Sequence, residues 1–551
     1  MKITVIYKNT IAIIIVILLT ASLDAQTVTF THQDTLRGSV TPERAWWDLK
    51  YYHLDITVNP ADSTIKGTNT VTYKVIRPFG KMQIDLQEPM ILNSATIDNR
   101  QLKFNREGNL YWIEIEEKQV PGEIYSIVLS FGGKPKVSTR PPWVGGITWK
   151  KDKNGNPFIA SACQGDGASL WWPCKDHMYD EPDSMLISVN VPDNLMDVSN
   201  GRLRNVESKP DKTKTYNWFV SNPINNYGVN INIGDYVHFS EVYKGERGNL
   251  DCDYYVLRDN LEKAKEQFRQ VPMMLAAFEY WFGPYPFYDD GYKLVEAPYL
   301  GMEHQSSVTY GNGFKNGYLG TDLSRTGWGL KFDFIIVHES GHEWFANSIT
   351  YKDVADMWVH ESFTNYSENL YVEYHYGKEA GSEYVIGCRR NIKNDRPIIG
   401  KYDVNKSGSG DMYYKGGSML HTIRQIINDD EKWRGILRGL NRDFYHQVVT
   451  GEQIENYLIE KTGMNLTSVF DQYLRDSRLP DFEYYIQDNL LTYRYNNCIE
   501  TFDMPLKIFI NGNVIDITPK TTFSSMKLDD GIDEIKVDSG YYVNTVKIKV
   551  R

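Results

Sequence analysis

Two changes of hydrophobic periodicity along 551 residues predict a multidomain α+β protein. Residues 40–245 read as a β-rich domain of short strands, and residues 246–478 carry long helical patterns. Residues 479–551 return to short alternating segments. A chain of this length exceeds what one hydrophobic core sustains, so separate domains are the physical expectation.

Taken in order, residues 1–25 have the anatomy of a secretory signal peptide. Lys2 and Lys8 form a positive start, residues 11–19 are uninterrupted apolar, and small residues lead to Ala25 before Gln26. The apolar run is shorter than the roughly 20 residues a membrane span needs. Cleavage near Ala25 therefore predicts an exported protein, periplasmic or extracellular, with no membrane anchor left. In the β-rich region Leu54, Ile56 and Val58 alternate with polar neighbours, as a half-buried strand requires. Helices are predicted over 260–282, 330–348 and 357–376, the last closed by Gly377. Near the end, residues 507–510 alternate, and Asn511–Gly512 reads as a hairpin turn within a β-sandwich of about 70 residues.

Composition excludes several classes. With 60 basic and 71 acidic residues the formal net charge is −11, which argues against nucleic acid or anionic membrane as a partner. Five cysteines in so long an exported chain rule out a disulfide scaffold, and an odd count leaves at least one unpaired within the chain. No CxxC pair is present, so a thiolate metal knuckle is excluded.

The chemistry concentrates in Val337-His338-Glu339-Ser340-Gly341-His342, an HExxH pattern inside an apolar helical stretch. Residues four apart lie one turn above each other on a helix, so both imidazoles reach one ion and Glu339 enters the same cleft. A catalytic zinc needs a third protein ligand and an open position. The next predicted helix offers two candidates, His360 and Glu361, and spacing alone does not choose between them. Glu361 is separated from His342 by 18 residues.

HExxH, 18 residues, then Glu in the setting Trp358-Val359-His360-Glu361-Ser362-Phe363 resembles the aminopeptidase N family of zinc peptidases, which includes leukotriene hydrolase. Other motifs extend the resemblance over about residues 45–480. His342-Glu343-Trp344-Phe345-Ala346-Asn347 is similar to the family's run after the second histidine. Leu300-Gly301-Met302-Glu303-His304 looks like its Gly-Ala-Met-Glu-Asn, departing at the first and fifth positions. Cys163-Gln164 before Pro173-Cys174-Lys175-Asp176, and Tyr413-Tyr414-Lys415-Gly416, also match.

The resemblance implies a saddle-like N-terminal β domain, a thermolysin-like catalytic domain, and no long helical C-terminal domain of the kind many relatives carry. It implies one zinc per chain, held by His338, His342 and Glu361, with His360 a bystander. Glu339 takes the place of the general base and Tyr413 that of the oxyanion donor, while Tyr414 is read as packing. Glu303 and Gln164 stand where relatives bind the substrate's free amine, and Gly301 and Met302 where backbone pairs with the peptide. Glu368 matches a carboxylate that orients a ligand histidine. The activity implied is removal of N-terminal residues from peptides with a free N-terminus. An endopeptidase of the same fold and a silent peptide-binding protein are the alternatives.

Overall fold

The computed structural model describes residues 29–116 and 118–549. The signal-peptide reading of residues 1–25 lies outside them, and no described helix is long and apolar enough to cross a membrane.

The N-terminal half is built on an eight-stranded sheet around the hairpin Trp47–Asn59 and Thr64–Val75. The predicted alternation is present: Leu54, Ile56 and Val58 point into the core, nearly free of solvent. A four-stranded sheet carrying Gly146–Lys151 and Pro157–Ala162 shares that core, together with Trp46, Trp47, Trp171 and Trp172. The Pro173–Asp176 segment is structural. Lys175 Nζ donates to the Trp47 carbonyl at 2.7 Å, and the Asp176 amide donates to Asp85, which pairs with buried Arg44.

The periodicity change placed at 245/246 falls inside a hairpin, Tyr236–Gly245 with Gly248–Leu257. Its five-stranded sheet continues through Tyr292–Glu296 and Val308–Tyr310 and ends on the short edge strand Gly301–Met302. Helices pack beside this sheet. The helix expected over 260–282 is two, Leu261–Gln267 and Gln270–Phe282. Pro272 has no N–H to give the Phe268 carbonyl, so the first helix stops there.

The helix expected over 330–348 is also shorter, Phe334–Gly341, started by Asp333, whose Oδ1 accepts from the Ile335 and Ile336 amides. Beyond His342 the backbone leaves helical geometry at Phe345 (φ −121°, ψ 73°) and a wide irregular turn runs to Ser348. The Trp358–Tyr376 helix is as expected, ending at Gly377. It packs on the HExxH helix and on Tyr414–Ile427.

The last segment forms a four-stranded and a three-stranded sheet, with Asn511–Gly512 joining Leu506–Ile510 to Asn513–Ile517. Their inner faces, including Phe482, Leu491 and Ile508, are continuous with the helical core. Arg389 donates to the carbonyls of Ser539, Gly540 and Tyr541, and Tyr473 to that of Tyr542, which ties the two parts together. The chain is thus an α+β protein with an N-terminal β-rich domain, a mainly helical unit bearing the HExxH segment, and a C-terminal β-rich region. All five cysteines are free thiols, and Cys163 and Cys174 are buried without bonding each other.

Candidate active site

Every residue to which the family resemblance gives a role in the site lines one cleft of about 220 Å³. Its floor is the HExxH helix, where one turn separates His338 and His342, whose ring centroids lie 5.0 Å apart at 86°. Glu361 enters from the first turn of the Trp358–Tyr376 helix. Its Oε2 lies 3.8 Å from His338 Nε2 and 3.4 Å from His342 Nε2. Three ligands bonded tetrahedrally at about 2.0–2.1 Å would stand roughly 3.3 Å apart, so this spacing suits a zinc-sized ion.

Two further observations support the fit. Glu361 is 1 % exposed, yet among the described residues its Oε2 has no hydrogen-bond donor, a costly state for a carboxylate unless a cation meets it. Burial works against charge on His342, but Glu361 overrides it and pushes the imidazole up to about 10. The field of the cleft therefore collects positive charge, which a metal ion would supply in place of the proton.

Each imidazole is aimed by its other nitrogen. His338 Nδ1 donates to Glu368 Oε1 at 2.8 Å, and Glu368 also accepts from Tyr384 and Asn365. His342 Nδ1 donates to the Phe345 carbonyl at 3.0 Å, with Thr364 Oγ1 at the same distance. The irregular turn after Gly341 is what lays that carbonyl beneath the ring. Both Nε2 lone pairs are thereby left facing Glu361.

The rival ligand His360 faces away. Its Nε2 accepts from the Tyr351 amide at 2.9 Å, and its ring lies 4.0 Å from that of Tyr351. Adjacent helix residues point about 100° apart, so once Glu361 faces the cleft His360 has to lie against the core. Glu361→Ala is expected to abolish stoichiometric metal binding while His360→Phe retains it, as measured by metal content after dialysis. Metal-free His360→Phe beside metal-replete Glu361→Ala would reverse the assignment.

Around the imidazoles stand the remaining carboxylates. Glu339 is 8 % exposed toward the cleft, and burial, with His338 opposing and Glu303 adding, pushes it up to about 7. Gln164, on the loop after Pro157–Ala162, uses its amide nitrogen twice, donating to Glu303 Oε1 at 2.6 Å and Glu361 Oε1 at 2.9 Å. Tyr227 also donates to Glu303, at 3.2 Å, and Asn347 holds the Glu303 carbonyl at 2.9 Å.

Glu303 follows the edge strand Gly301–Met302, which among the described residues pairs on one side only, with Val308–Tyr310. That strand crosses the HExxH helix so closely that a Cβ on Gly301 would sit 2.6 Å from Ile335 Cγ2. His304 turns into the core beside Thr309 Oγ1, and burial pushes it down to about 3, so it stays neutral. Tyr413 precedes the Tyr414–Ile427 helix and stacks on His338 at 6.0 Å, while Tyr414 lines the cleft as well. At Gly416 the helix backbone touches the Trp358–Tyr376 helix, where a Cβ would fall 1.9 Å from Ser362 Oγ. This approach brings Tyr413 to the ligand helix.

Tyr227, Tyr384 and Thr364 were not singled out from the sequence. They hold Glu303, Glu368 and His342 from distant segments, and nothing in their local sequence signals it.

Residues 49–227 match the Peptidase M1 N-terminal domain and residues 269–473 the Peptidase family M1 domain. Among curated proteins the chain is 19 % identical over 483 residues to Probable aminopeptidase 1 of Saccharolobus solfataricus, covering 83 % of this chain and 59 % of that one. It is 23 % identical to Aminopeptidase N of Lactobacillus helveticus, covering 78 % and 51 %. The chain thus spans about three fifths or less of the length of these relatives. Among solved structures it resembles the M1 zinc metallopeptidase of Deinococcus radiodurans, with a TM-score of 0.68 at 19 % identity over 79 % of this chain and 95 % of that one. A two-domain M1 zinc metallopeptidase variant bound to L-tryptophan aligns with a TM-score of 0.67 at 19 % identity, covering 80 % and 96 %. The two M1 models together account for both the β-rich half and the HExxH unit, and the chain belongs to peptidase family M1.

Proposed function

We propose that this protein is a zinc-dependent aminopeptidase that removes N-terminal residues from peptides. The position of Glu303 carries the reading: its carboxylate and the ligand atoms of His342 and Glu361 all lie within 4.8 Å of one another. A dication there meets two neutral imidazoles and four glutamates, Glu303, Glu339, Glu361 and, behind His338, Glu368, so the cleft stays net negative and favours an α-ammonium group.

His338, His342 and Glu361 would hold one zinc ion, the His₂Glu set of metallopeptidase sites. The chemistry it supplies is Lewis acidity toward water and toward the scissile carbonyl. Glu303 and Gln164 bind the free amine and so set the register of cleavage at the first peptide bond. The open edge of Gly301–Met302 pairs with the peptide backbone as an added strand. Glu339 takes a proton from the attacking water and returns it to the leaving amine. Tyr413 donates its hydroxyl hydrogen to the oxyanion that develops on the carbonyl. The Tyr413 phenol suits a donor, because burial and then Glu361 hold its pKa well above the ordinary value.

The test is hydrolysis of aminoacyl fluorophores and matched N-acetylated substrates, with and without a chelator. Turnover of the free-amine set, lost with chelator and restored by zinc, is the expected result. Chelator-insensitive turnover removes the metal from the proposal, and equal turnover of blocked substrates turns it into an endopeptidase. The leader pattern at residues 1–25 supports export to the periplasm or beyond. Intact mass of the protein from its native compartment should begin at Gln26, and an uncleaved Met1 would contradict it.

A further inference from the structure

The mechanism leaves one conspicuous cleft residue without work. Trp143 is 56 % exposed, although a tryptophan normally buries its large apolar ring, and it lines the cleft together with Pro142. It does not belong to the helical unit. It sits on a turn over residues 139–144, between strands Ile124–Gly133 and Gly146–Lys151 of the β-rich half.

That turn is held in place. The Val144 amide donates to the Arg140 carbonyl at 3.0 Å, Ser138 Oγ donates to the Val144 carbonyl, and the Arg140 guanidinium lies 5.7 Å from the Trp143 ring centroid. The Gly145 amide donates to Asp166 Oδ2 at 2.6 Å, and Lys136 lies 3.7 Å from the same oxygen. Asp166 is two residues past Gln164, whose side chain bridges Glu303 and Glu361. The loop that presents the amine anchor therefore also fixes the Trp143 turn. The amine anchor and the Trp143 turn are thus neighbours in the lining of the cleft.

The remaining walls agree in character. Leu300, Tyr318, Phe334 and Tyr414 complete an apolar and aromatic lining. Among the described residues no lysine or arginine lines the cleft, and its four glutamates are the ones already assigned to metal, amine, proton transfer and His338. A carboxylate side chain on the substrate would meet the negative charge of four glutamates in a lining that holds no lysine or arginine. A basic side chain would find no carboxylate free to receive it.

We infer that Trp143 is a specificity-determining residue that closes over the side chain of the substrate's first residue and selects large apolar and aromatic ones. The inference rests on the aminopeptidase reading above. Lining by an exposed ring suits this role, because the substrate side chain removes from water the face the free protein leaves wet.

The experiment compares the wild-type protein with Trp143→Ala and Trp143→Phe on free-amine substrates beginning with Phe, Leu, Ala, Arg and Glu. Wild type is expected to prefer Phe and Leu. Trp143→Ala is expected to lose about tenfold in kcat/KM on Phe and Leu, chiefly through KM, and to stay within about twofold on Ala. Trp143→Phe should recover most of the loss. An unchanged melting temperature is expected for both variants, since the ring is mostly exposed. Equal loss on Phe and Ala, no loss on either, or a wild-type preference for Arg or Glu overturns the inference while leaving the aminopeptidase reading standing. Turnover of N-acetylated substrates alone, or of none, removes the reading and the inference with it.

Discussion

Glu339→Gln is expected to keep its zinc and to lose on the order of 10²–10⁴-fold in kcat. The two ligand histidines are fixed independently of Glu339, through Glu368 for His338 and the Phe345 carbonyl for His342. Glu339 makes neither contact, so the substitution leaves both Nε2 atoms facing Glu361. What it removes is the only carboxylate of the HExxH segment, beside the first histidine, that can take a proton from water. Metal content near one per chain with kcat reduced this far is the result to look for. Turnover close to wild type would remove Glu339 from the mechanism. Metal loss would mean that it is a ligand instead, a reading His338, Glu339 and His342 also permit by their mutual distances.

Glu303→Ala should show the second largest effect, a fall on the order of 10²–10³-fold in kcat/KM on free-amine substrates. Glu303 is 3 % exposed, so an ammonium drawn to it leaves water and meets a carboxylate already oriented by Gln164 and Tyr227. Removing one partner of such a pair costs far more than removing a surface charge. Gln164 keeps its second bond, to Glu361, so the ligand carboxylate stays oriented and zinc is retained. The residual activity should no longer distinguish free from acetylated N-termini. A variant that loses activity equally on both classes would show that Glu303 supports the site as a whole and does not read the amine.

Legibility in the sequence followed the range of the interaction. Strand alternation at Leu54, Ile56 and Val58 is a property of consecutive residues and is present as read. So is the Trp358–Tyr376 helix with its stop at Gly377. The two over-long helices failed for different reasons. The break before Gln270 was written locally, in Pro272, and periodicity masked it. The unwinding after Gly341 was not local, because it answers the need of His342 for a carbonyl that the Phe345 turn provides.

The same division runs through the site. Helix geometry alone sets His338 and His342 on one face, so the metal pair could be read from four residues of spacing. The choice of Glu361 over His360 could not, since both lie on one helical turn and differ only in which way that helix is rotated against its neighbours. The close approach at Gly416, and the Tyr351 amide that occupies His360, make that choice. Gln164, Glu303 and Tyr227 come together from separate stretches of chain, and only folding puts two carboxylates and an amide within hydrogen-bonding reach. Short-range order thus specified the part that binds metal. Long-range packing decided the part that turns a metal site into one able to recognise the end of a peptide, because recognition needs groups converging from several elements.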